Sequence, residues 1–439
     1  MGGRDARIGI VLAVDPLAAL MLVVSTLTLL GVFVYAMGSP RTRDQGPYFY
    51  PIYLVLAAGV AASFLTADLF NLFVAFEIML TASYVLITLG GSREQVRHGT
   101  TYVVISLLAS TLFITTVGLI YAATGTVNIA DLAVRLDGID PAVRSALGLL
   151  LLVVFGVKAA IFPVFQWLPD SYPTAPSPVT AVFAGLLTKI GVYAIIRTQT
   201  LMFPTIDGRT STVLLVIAGL TMTVGVLGAI AQDDVKRLLS FHIVSQIGYM
   251  ILGLGLFTLA GVAGAVIYVA HQIIVKATLF LVGGIIEHAT GTGQLRRIGG
   301  MLHTAPLLAV LFMLPALSLA GIPPFSGFVA KLSLIQAGLA IDEWPIVLVS
   351  LGVSMLTLFS MTKIWNGVFW GVPDEPSPVV ERYGVEQVAV PRLMTSSTAA
   401  LVAATLVFAA AAGPIYALSE KAATVLLERT PYVEAVMGE

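Results

Sequence analysis

The chain has 439 residues, of which 58% are hydrophobic and 11% are charged, and its formal net charge is −1. With a mean hydropathy of +0.96 and roughly half the charged fraction of a typical soluble domain, it is predicted to be an integral membrane protein. The balanced charge argues against nucleic acid as a partner. The absence of cysteine excludes disulfides, thiolate metal sites and iron–sulfur clusters built from this chain, and no cofactor or metal is expected.

Apolar runs separated by short polar segments predict helical spans, because a lipid-exposed backbone must satisfy its own hydrogen bonds. The first run, Ile8 to Met37, is too long for the core of a signal peptide and is predicted to be a span of the mature protein. A polar loop at 372–395 precedes the last helix, and the tail at 419–437 has the amphipathic pattern typical of a helix on the membrane surface. The fold is thus predicted to be all-α and polytopic, with about twelve transmembrane helices, near residues 9–37, 50–66, 69–90, 99–123, 143–167, 178–198, 212–231, 238–257, 261–287, 304–338, 345–370 and 396–418.

Two of these helices are interrupted by proline. The fifth breaks at Phe162-Pro163, just after Lys158, and the tenth breaks within GIPPFSGFVAK, just before Lys331. In transporters, broken helices at corresponding positions of two halves indicate inverted repeats and the transport site. We therefore predict two inverted five-helix repeats, each with one broken helix. The predicted units are the N-terminal helix (1–49), the two repeats (50–198 and 199–370), and a segment with the loop, the last helix and the amphipathic tail (371–439).

The basic residues of the loops predict the orientation, because cytoplasmic loops of membrane proteins are enriched in lysine and arginine. The loops after odd-numbered helices hold ten such residues and the other internal loops hold four. This distribution places both termini outside the cytoplasm, although Arg4, Arg7, Lys421 and Arg429 in the terminal segments fall on the minority side. The ten are Arg41, Arg43, Arg93, Arg97, Lys236, Arg237, Arg296, Arg297, Arg382 and Arg392, and the four are Arg135, Arg144, Arg197 and Arg209.

The two kinds of cation are segregated along the chain. Five of the seven lysines lie inside apolar helices, whereas all sixteen arginines lie in loops, tails or helix ends. Arginine does not deprotonate in proteins, but a buried lysine can release its proton near neutral pH. The pattern therefore indicates proton carriers, and the five candidates are Lys158, Lys189, Lys276, Lys331 and Lys363.

Acidic and histidine side chains extend this set. Glu77 is the only one of eleven glutamates deep within a predicted span, and an ion pair between it and a lysine would act as a switch that releases a proton when the pair separates. His271, five residues before Lys276, is a candidate relay, with packing as the alternative. His242 is a candidate cytoplasmic inlet or a helix-capping residue. Lys363, near the end of its span, is equally compatible with a structural contact or with snorkelling.

The order of these motifs resembles the proton-translocating antiporter family shared by respiratory complex I and the multisubunit Mrp cation/proton antiporters, over almost the whole chain. Within that family, Lys331, the segment KIWNGVFWG and the C-terminal tail are similar to the D-type Mrp subunits. The motifs that carry the resemblance are LFNLFVAFEIMLTASYVLI, VKAAIFPVFQWLPDSYPTAPSPVTA, LLTKIGVYAIIR, DDVKRLLSFHIVSQIGYM, HQIIVKATLFL and AGIPPFSGFVAKLSL.

The resemblance implies a subunit of a secondary transporter rather than an enzyme, in the cell membrane of a prokaryote. It implies that Glu77 pairs with Lys158, that Lys189 connects two proton half-channels, and that Lys276 and Lys331 continue the axis. The implied partners are the other subunits of such an antiporter (A, B, C, E, F and G types), protons, Na⁺ or another monovalent cation, and membrane lipid. Family members usually have fourteen helices, and this sequence resembles them from the third helix onward.

Two other functions are compatible with a helical membrane protein of this kind. A membrane subunit of a redox-driven proton pump, of the complex I or membrane-bound hydrogenase type, predicts the same axis and is distinguished by flavin or iron–sulfur proteins among its partners. An inert channel scaffold is disfavoured, because five buried lysines are costly to retain. A dehydrated Na⁺ requires several oxygen ligands, and Glu77 is the only deep carboxylate, so we expect the exchanged cation to cross mainly elsewhere in the complex.

Overall fold

The computed structural model describes residues 9–43, 46–204, 208–375 and 390–438. Within these ranges twelve apolar helices follow the predicted order, and ten of them are long and apolar enough to cross a membrane. This confirms the all-α polytopic fold. The twelve are α1 (Pro16–Gly38), α2 (Phe49–Leu65), α3 (Leu69–Thr88), α4 (Arg93–Thr124), α5 (Pro141–Ala159), α6 (Ser177–Leu201), α7 (Gly208–Ile230), α8 (Val235–Leu256), α9 (Leu259–Thr290), α10 (Pro306–Ala320 and Ser326–Leu339), α11 (Trp344–Trp370) and α12 (Arg392–Ala410).

Helix α1 begins later than predicted, at Pro16 instead of residue 9. Asp15 caps it by accepting a hydrogen bond of 2.8 Å from the Ala18 amide, and proline at the first position of a helix strengthens this start signal. The preceding residues run extended beside the end of α2, where the Ala13 amide donates to the Leu65 carbonyl at 2.8 Å. The prediction was wrong here because it followed apolar character alone.

Helix α4 begins at Arg93, six residues before the predicted start. Ser92 and Gln95 form a capping box in which each side chain bonds to the backbone of the other residue. The capping box satisfies amides that a helix start otherwise leaves unpaired. The prediction from hydropathy missed this start because the first turns of α4 are polar.

The two predicted breaks are present and have matching backbone geometry. Helix α5 ends before Ala160, and the first part of α10 ends before Gly321, and both of these residues are in the left-handed conformation. The Ile161 amide donates to the Gly156 carbonyl and the Ile322 amide to the Leu317 carbonyl, each at 3.1 Å. Both breaks contain a cis peptide bond before a proline, at 162–163 and 323–324.

A second pair of contacts also recurs between the two halves. Asp68, which caps α3, lies antiparallel to Asn128 after α4, and Asp234, which caps α8, lies antiparallel to Gln294 after α9. The Thr-Gly-Thr sequences before these partners make the same internal hydrogen bonds, at 124–126 and 290–292. Helices α3 and α8 are five helices apart, an odd number, so the two repeats are inverted with respect to each other.

Helices α6 and α9 form the centre of the bundle. The most apolar stretches of both are completely buried within the protein, and α8 is nearly so. Helix α9 packs against α1, α6, α8, α10 and α12. Polar residues on α6 and α9 therefore lie inside protein and not against lipid, which is where charged groups in membrane proteins are tolerated.

The C-terminal tail is helical, as α13 (Ala412–Glu428) and α14 (Thr430–Met437). The amphipathic pattern is present, but its apolar face packs on the bundle, where α13 lies along α9 and α1. The location of the tail at the membrane surface stays a prediction. The buried residues of α13 are Ala412, Ser419, Ala422, Ala423 and Leu426.

Some basic residues that determined the predicted orientation lie outside the described part of the chain. Arg4, Arg7 and Arg382 are outside the described ranges, and so are the side chains of Arg41, Arg43 and Arg209.

Close packing of α7 on α8 gives a test of the fold. A Cβ atom on Gly225 would meet the Ser245 backbone at 2.4 Å, whereas a Cβ atom on Gly118, on the outer face of α4, would meet nothing within 4 Å. We expect Gly225→Ala to destabilise the protein by about 1–3 kcal/mol, the usual cost of overpacking. Gly118→Ala is the matched control, and the midpoint of thermal unfolding of the purified protein is the measurement. Equal midpoints for the two variants would contradict the α7–α8 packing.

Candidate functional site

Four of the five predicted intramembrane lysines lie at the centre of the bundle. They are carried by four different helices, α5, α6, α9 and α10, and none is more than a tenth exposed. Lys158 is 8% exposed, Lys189 and Lys276 are 0% exposed, and Lys331 is 4% exposed.

Glu77 and Lys158 are joined through a third side chain. The Ser110 hydroxyl on α4 donates to the Glu77 carboxylate and accepts a 2.8 Å hydrogen bond from Lys158 Nζ. The Lys158 ammonium also lies over the Phe76 ring, 5.6 Å from its centroid. The expected acid–lysine pair is therefore brought together with a hydroxyl between the two charges.

A small cavity adjoins this group. It encloses about 20 Å³ and is lined by Lys158, Phe76, Tyr102, Ser106 and Trp167, among others. That volume is enough for one water molecule. A water molecule there would contact Lys158 from the side of the broken helix.

Lys189 lies on α6, one of the two central helices of the bundle. Its Nζ donates to the carbonyl of Ala184, within a π-helical turn at Phe183–Leu187, an irregularity common at functional sites. Glycines allow α6 to approach both neighbouring helices. A Cβ atom would lie 2.9 Å from the Ala159 backbone at Gly191 and 3.0 Å from a backbone oxygen of α9 at Gly185.

Lys276 lies on α9, the other central helix. Its Nζ is completely buried, and no hydrogen-bond partner is found for it in the described part of the chain. It interacts electrostatically with Lys189 and Lys331. The arrangement places it between the lysine of α6 and the lysine of α10.

Lys331 lies at the second break. Its Nζ donates to the Ala320 carbonyl at 3.1 Å and to the Ser354 hydroxyl of α11 at 2.9 Å. The ammonium also lies 4.7 Å from the centroid of the Tyr249 ring. Ala320 is the last residue before the break, where a helix end leaves carbonyls free to accept.

The two predicted histidines are both buried and both bonded to serine. His271 Nδ1 lies 2.9 Å from the Ser326 hydroxyl, which lies 3.1 Å from the Ser318 hydroxyl. His242 Nε2 lies 2.5 Å from the Ser360 hydroxyl. Both histidines interact electrostatically with the lysines of α9 and α10, which places them in the second half of the axis.

Lys363 lies apart from this buried group. Its Nζ donates to the carbonyls of Ile230 and Gln232 and, at 2.9 Å, to the Asp233 carboxylate in the loop between α7 and α8. The Lys363 ammonium holds the pKa of the Asp233 carboxyl below its usual range. The geometry is that of a tether between the end of α11 and this loop.

Two charged groups differ from the sequence interpretation. Lys236, counted among the basic residues of the loops, is 6% exposed and pairs with Glu287 at 2.5 Å. Arg197, at the end of α6, is also buried and pairs with Asp15 at 2.8 Å. Hydropathy marks both as loop or helix-end residues, and only the packing around them shows their burial.

Sequence reasoning missed most of the hydroxyl partners. Ser110, Ser354 and Ser360 lie in apolar helices far from the proline breaks. Ser318 and Ser326, which flank the second break, lie beside His271. The available signal for the two on α11 was the recurrence of hydroxyl residues every three or four positions, at Ser350, Ser354, Thr357 and Ser360. Among the described residues, no group of three or more histidine, aspartate or glutamate side chains is placed to hold a metal ion.

Comparisons with known proteins agree with this architecture. Residues 66–357 match the sequence model of the family described as NADH:quinone oxidoreductase/Mrp antiporter. A protein of Alkalihalophilus pseudofirmus, named as the D-type subunit of a Na⁺/H⁺ antiporter, is 46% identical over the whole chain, which covers 88% of that protein. The protein of the same name in Bacillus subtilis is 37% identical with the same coverage.

Solved structures show the same fold. A chain of the Mrp complex from Dietzia superposes with a TM-score of 0.90 at 38% identity, covering 100% of this chain and 88% of that one. A chain of an archaeal membrane-bound sulfane sulfur reductase superposes with a TM-score of 0.87 at 28% identity, covering 99% of this chain and 87% of that one. A chain of respiratory complex I from Thermus thermophilus shares the fold, with a TM-score of 0.83 at 23% identity. The superposition covers 95% of this chain and 86% of that one.

Unpaired polar atoms along the axis predict ordered water. Buried polar groups in proteins are bonded to protein or to ordered water, and several here have no protein partner among the described residues. We expect a high-resolution map to show water about 2.7–3.2 Å from these atoms and none between the packed rings of Phe113 and Phe155. A dry axis in such a map would contradict this prediction. The unpaired atoms are Thr188 Oγ1, His242 Nδ1, Gln246 Nε2, His271 Nε2 and Lys276 Nζ.

Proposed function

Because the chain belongs to the NADH:quinone oxidoreductase/Mrp antiporter family, we propose that it is the D-type, proton-translocating subunit of a multisubunit Na⁺/H⁺ antiporter. Its relatives at 46% and 37% identity are named as antiporter subunits, so the chain is part of a secondary transporter and not an enzyme. Its partners are the other subunits of the complex, of the A, B, C, E, F and G types, together with protons and Na⁺ or another monovalent cation.

One observation supports the proposal more than any other. Titratable side chains follow one another through the buried centre of the bundle, from Glu77 to Lys331. Burying a charged group in such surroundings is costly, so ionisable residues there mark ion pathways and proton relays in membrane proteins. The order of the axis is Glu77, Lys158, Lys189, Lys276, His271 and Lys331.

The Glu77–Ser110–Lys158 group acts as the switch of the first half. While the carboxylate is bonded to Ser110, the negative charge favours the protonated form of Lys158. When this contact breaks, Lys158 loses the favourable interaction and passes its proton toward Lys189. Because the next lysine takes up the proton that Lys158 releases, the total charge of the axis does not change.

Repulsion between neighbouring lysines carries the proton onward. Lys276 lies within electrostatic range of both Lys189 and Lys331, and like charges repel strongly where water is scarce. Protonation of Lys189 therefore favours release from Lys276, and this in turn favours protonation of Lys331. His271, bonded to Ser326 beside the second break, relays the proton between the last two lysines.

His242 and Lys363 receive different roles. His242 lies two turns into α8, and we assign it to the entry of the second half. Lys363 fills its hydrogen bonds with loop oxygens, so we assign it a structural role and not a place on the proton path.

The orientation and the domain boundaries belong to the same proposal. The bacterial relatives support a location in the cell membrane, and the basic residues of the loops favour an orientation with both chain termini outside the cytoplasm. The recurring contacts at Asp68 and Asp234 support repeats at 50–198 and 199–370, each a proton half-channel. Cation passage is expected mainly through partner subunits.

A redox-driven pump subunit is the second candidate, supported by the likeness to the sulfane sulfur reductase chain at 28% identity. The two functions differ in the energy source. In proteoliposomes that contain the purified complex, we expect a Na⁺ gradient to drive proton movement without any electron donor. Proton movement that required a donor, with flavin or iron–sulfur proteins in the complex, would favour the second candidate.

The same vesicles test the axis. We expect Lys158→Met and Glu77→Gln each to lower the initial rate of Na⁺-driven proton movement by about a hundredfold or more, a typical loss for an essential acid–base group. Lys421→Ala, which removes an exposed lysine of α13, is the matched control and should transport normally. Full transport by either axis variant, in complexes with all subunits present, would exclude the proposed switch.

A further inference from the structure

Helix α11 presents a row of buried hydroxyl groups on one face. Residues three or four apart lie on the same side of a helix, and these hydroxyls recur at that spacing over most of the helix. Ser350 is 1% exposed, Thr357 and Ser360 are 0% exposed, and Ser354 is half-buried.

Helix α8 presents a matching polar face. Its Tyr249 hydroxyl lies 3.0 Å from the Ser354 hydroxyl, and His242 Nε2 lies 2.5 Å from the Ser360 hydroxyl. The two helices run antiparallel, so these contacts place Gln246, which lies between His242 and Tyr249, at the level of Thr357.

The part of this row from Ser354 to Ser360 meets a titratable side chain at each end. At one end, Lys331 Nζ donates to Ser354 at 2.9 Å. At the other, Ser360 donates to the Thr357 carbonyl at 2.9 Å, so its oxygen accepts from His242 Nε2–H. This tautomer leaves Nδ1 of the buried His242 as an acceptor, and no protein partner is found for it among the described residues.

We propose that this polar seam, formed by His242, Gln246 and Tyr249 of α8 with Ser354, Thr357 and Ser360 of α11, is a proton path that joins His242 to Lys331. The inference rests on the proposed function and adds a branch that meets the axis at Lys331. Thr357 is the middle link, and bridging water fills the gaps between successive hydroxyls.

The transfer conserves protons. A proton binds His242 Nδ1, and the proton on Nε2 passes to the Ser360 oxygen. Ser360 releases its own proton to the water on the side of Thr357, and the same exchange at Thr357 and Ser354 delivers one proton to neutral Lys331 Nζ. A return rotation of the hydroxyls and tautomerisation of His242 reset the path.

Packing is the alternative explanation for these hydroxyls. Serine and threonine often pack between membrane helices, and the Thr357 hydroxyl bonds the Val353 carbonyl at 2.8 Å. The Thr362 hydroxyl makes the same kind of bond, to the Leu358 carbonyl at 2.9 Å, on the exposed face of the same helix. Thr362 therefore makes the same local hydrogen bond as Thr357 but lies outside the seam, so it is the matched control.

The test replaces a hydroxyl by a methyl group in the complete complex. We expect Thr357→Val to lower the initial rate of Na⁺-driven proton movement in proteoliposomes about tenfold, equivalent to the loss of one hydrogen bond. Thr357→Ser should restore the rate, and Thr362→Val should match the unmodified complex. Co-purification of all subunits is measured for each variant.

A normal rate with Thr357→Val would overturn the inference, and so would a loss that Thr357→Ser does not restore, since that would indicate packing alone. If Thr357→Val fails to assemble, Ser360→Ala decides in the same assay, because it removes the contact to His242, and a normal rate would overturn the inference. The proposed function is tested separately: if Lys158→Met abolishes transport while Thr357→Val does not affect it, the main axis stands and the seam does not carry protons.

Discussion

A positive charge buried in an apolar bundle is stabilised by oxygen acceptors, and three of the four central lysines find them in the protein, two of them at irregular features of the fold. Lys158 reaches the Ser110 hydroxyl and, through it, the Glu77 carboxylate. Lys189 uses a carbonyl of a π-helical turn, and Lys331 uses the last carbonyl before a break. The irregular backbone of α6 and of α10 thus supplies acceptors at the depth where the lysines lie, in places that face protein and not lipid.

The two repeats share a backbone framework but carry different chemistry. Counted from the matching Thr-Gly-Thr turns, Ser110 of α4 occupies the position of Lys276 in α9, and counted from the capping aspartates, Phe76 of α3 occupies that of His242 in α8. In the first half an acid and a lysine share a hydroxyl, whereas in the second half the hydroxyls bond to histidines and a lysine. Because the two halves have similar backbones but different titratable groups, they are expected to differ in proton affinity. A directional proton path requires such a difference.

The sequence was sufficient to predict the all-α fold, the order of the twelve helices, both breaks and the burial of four of the five candidate lysines. Hydropathy and proline report these features directly. The sequence was not sufficient for the hydroxyls that connect the titratable residues, because Ser110, Ser354 and Thr357 resemble ordinary helix-packing residues until their neighbours are known. It also misjudged Lys236 and Arg197, since burial at a helix end depends on which other chain ends pack there. For Lys363, only the geometry of its three acceptors distinguishes a tether from a carrier.

The central claim is that the buried lysines work by losing their protons, and Lys158→Arg tests it most directly. The guanidinium keeps the charge beside Ser110, the neighbouring cavity gives it room, and arginine does not deprotonate. In proteoliposomes with the complete complex, the account predicts assembly without Na⁺-driven proton movement for Lys158→Arg. It predicts normal transport for Lys363→Arg, in which the charged tether to loop oxygens is retained. Normal transport by Lys158→Arg would contradict the account.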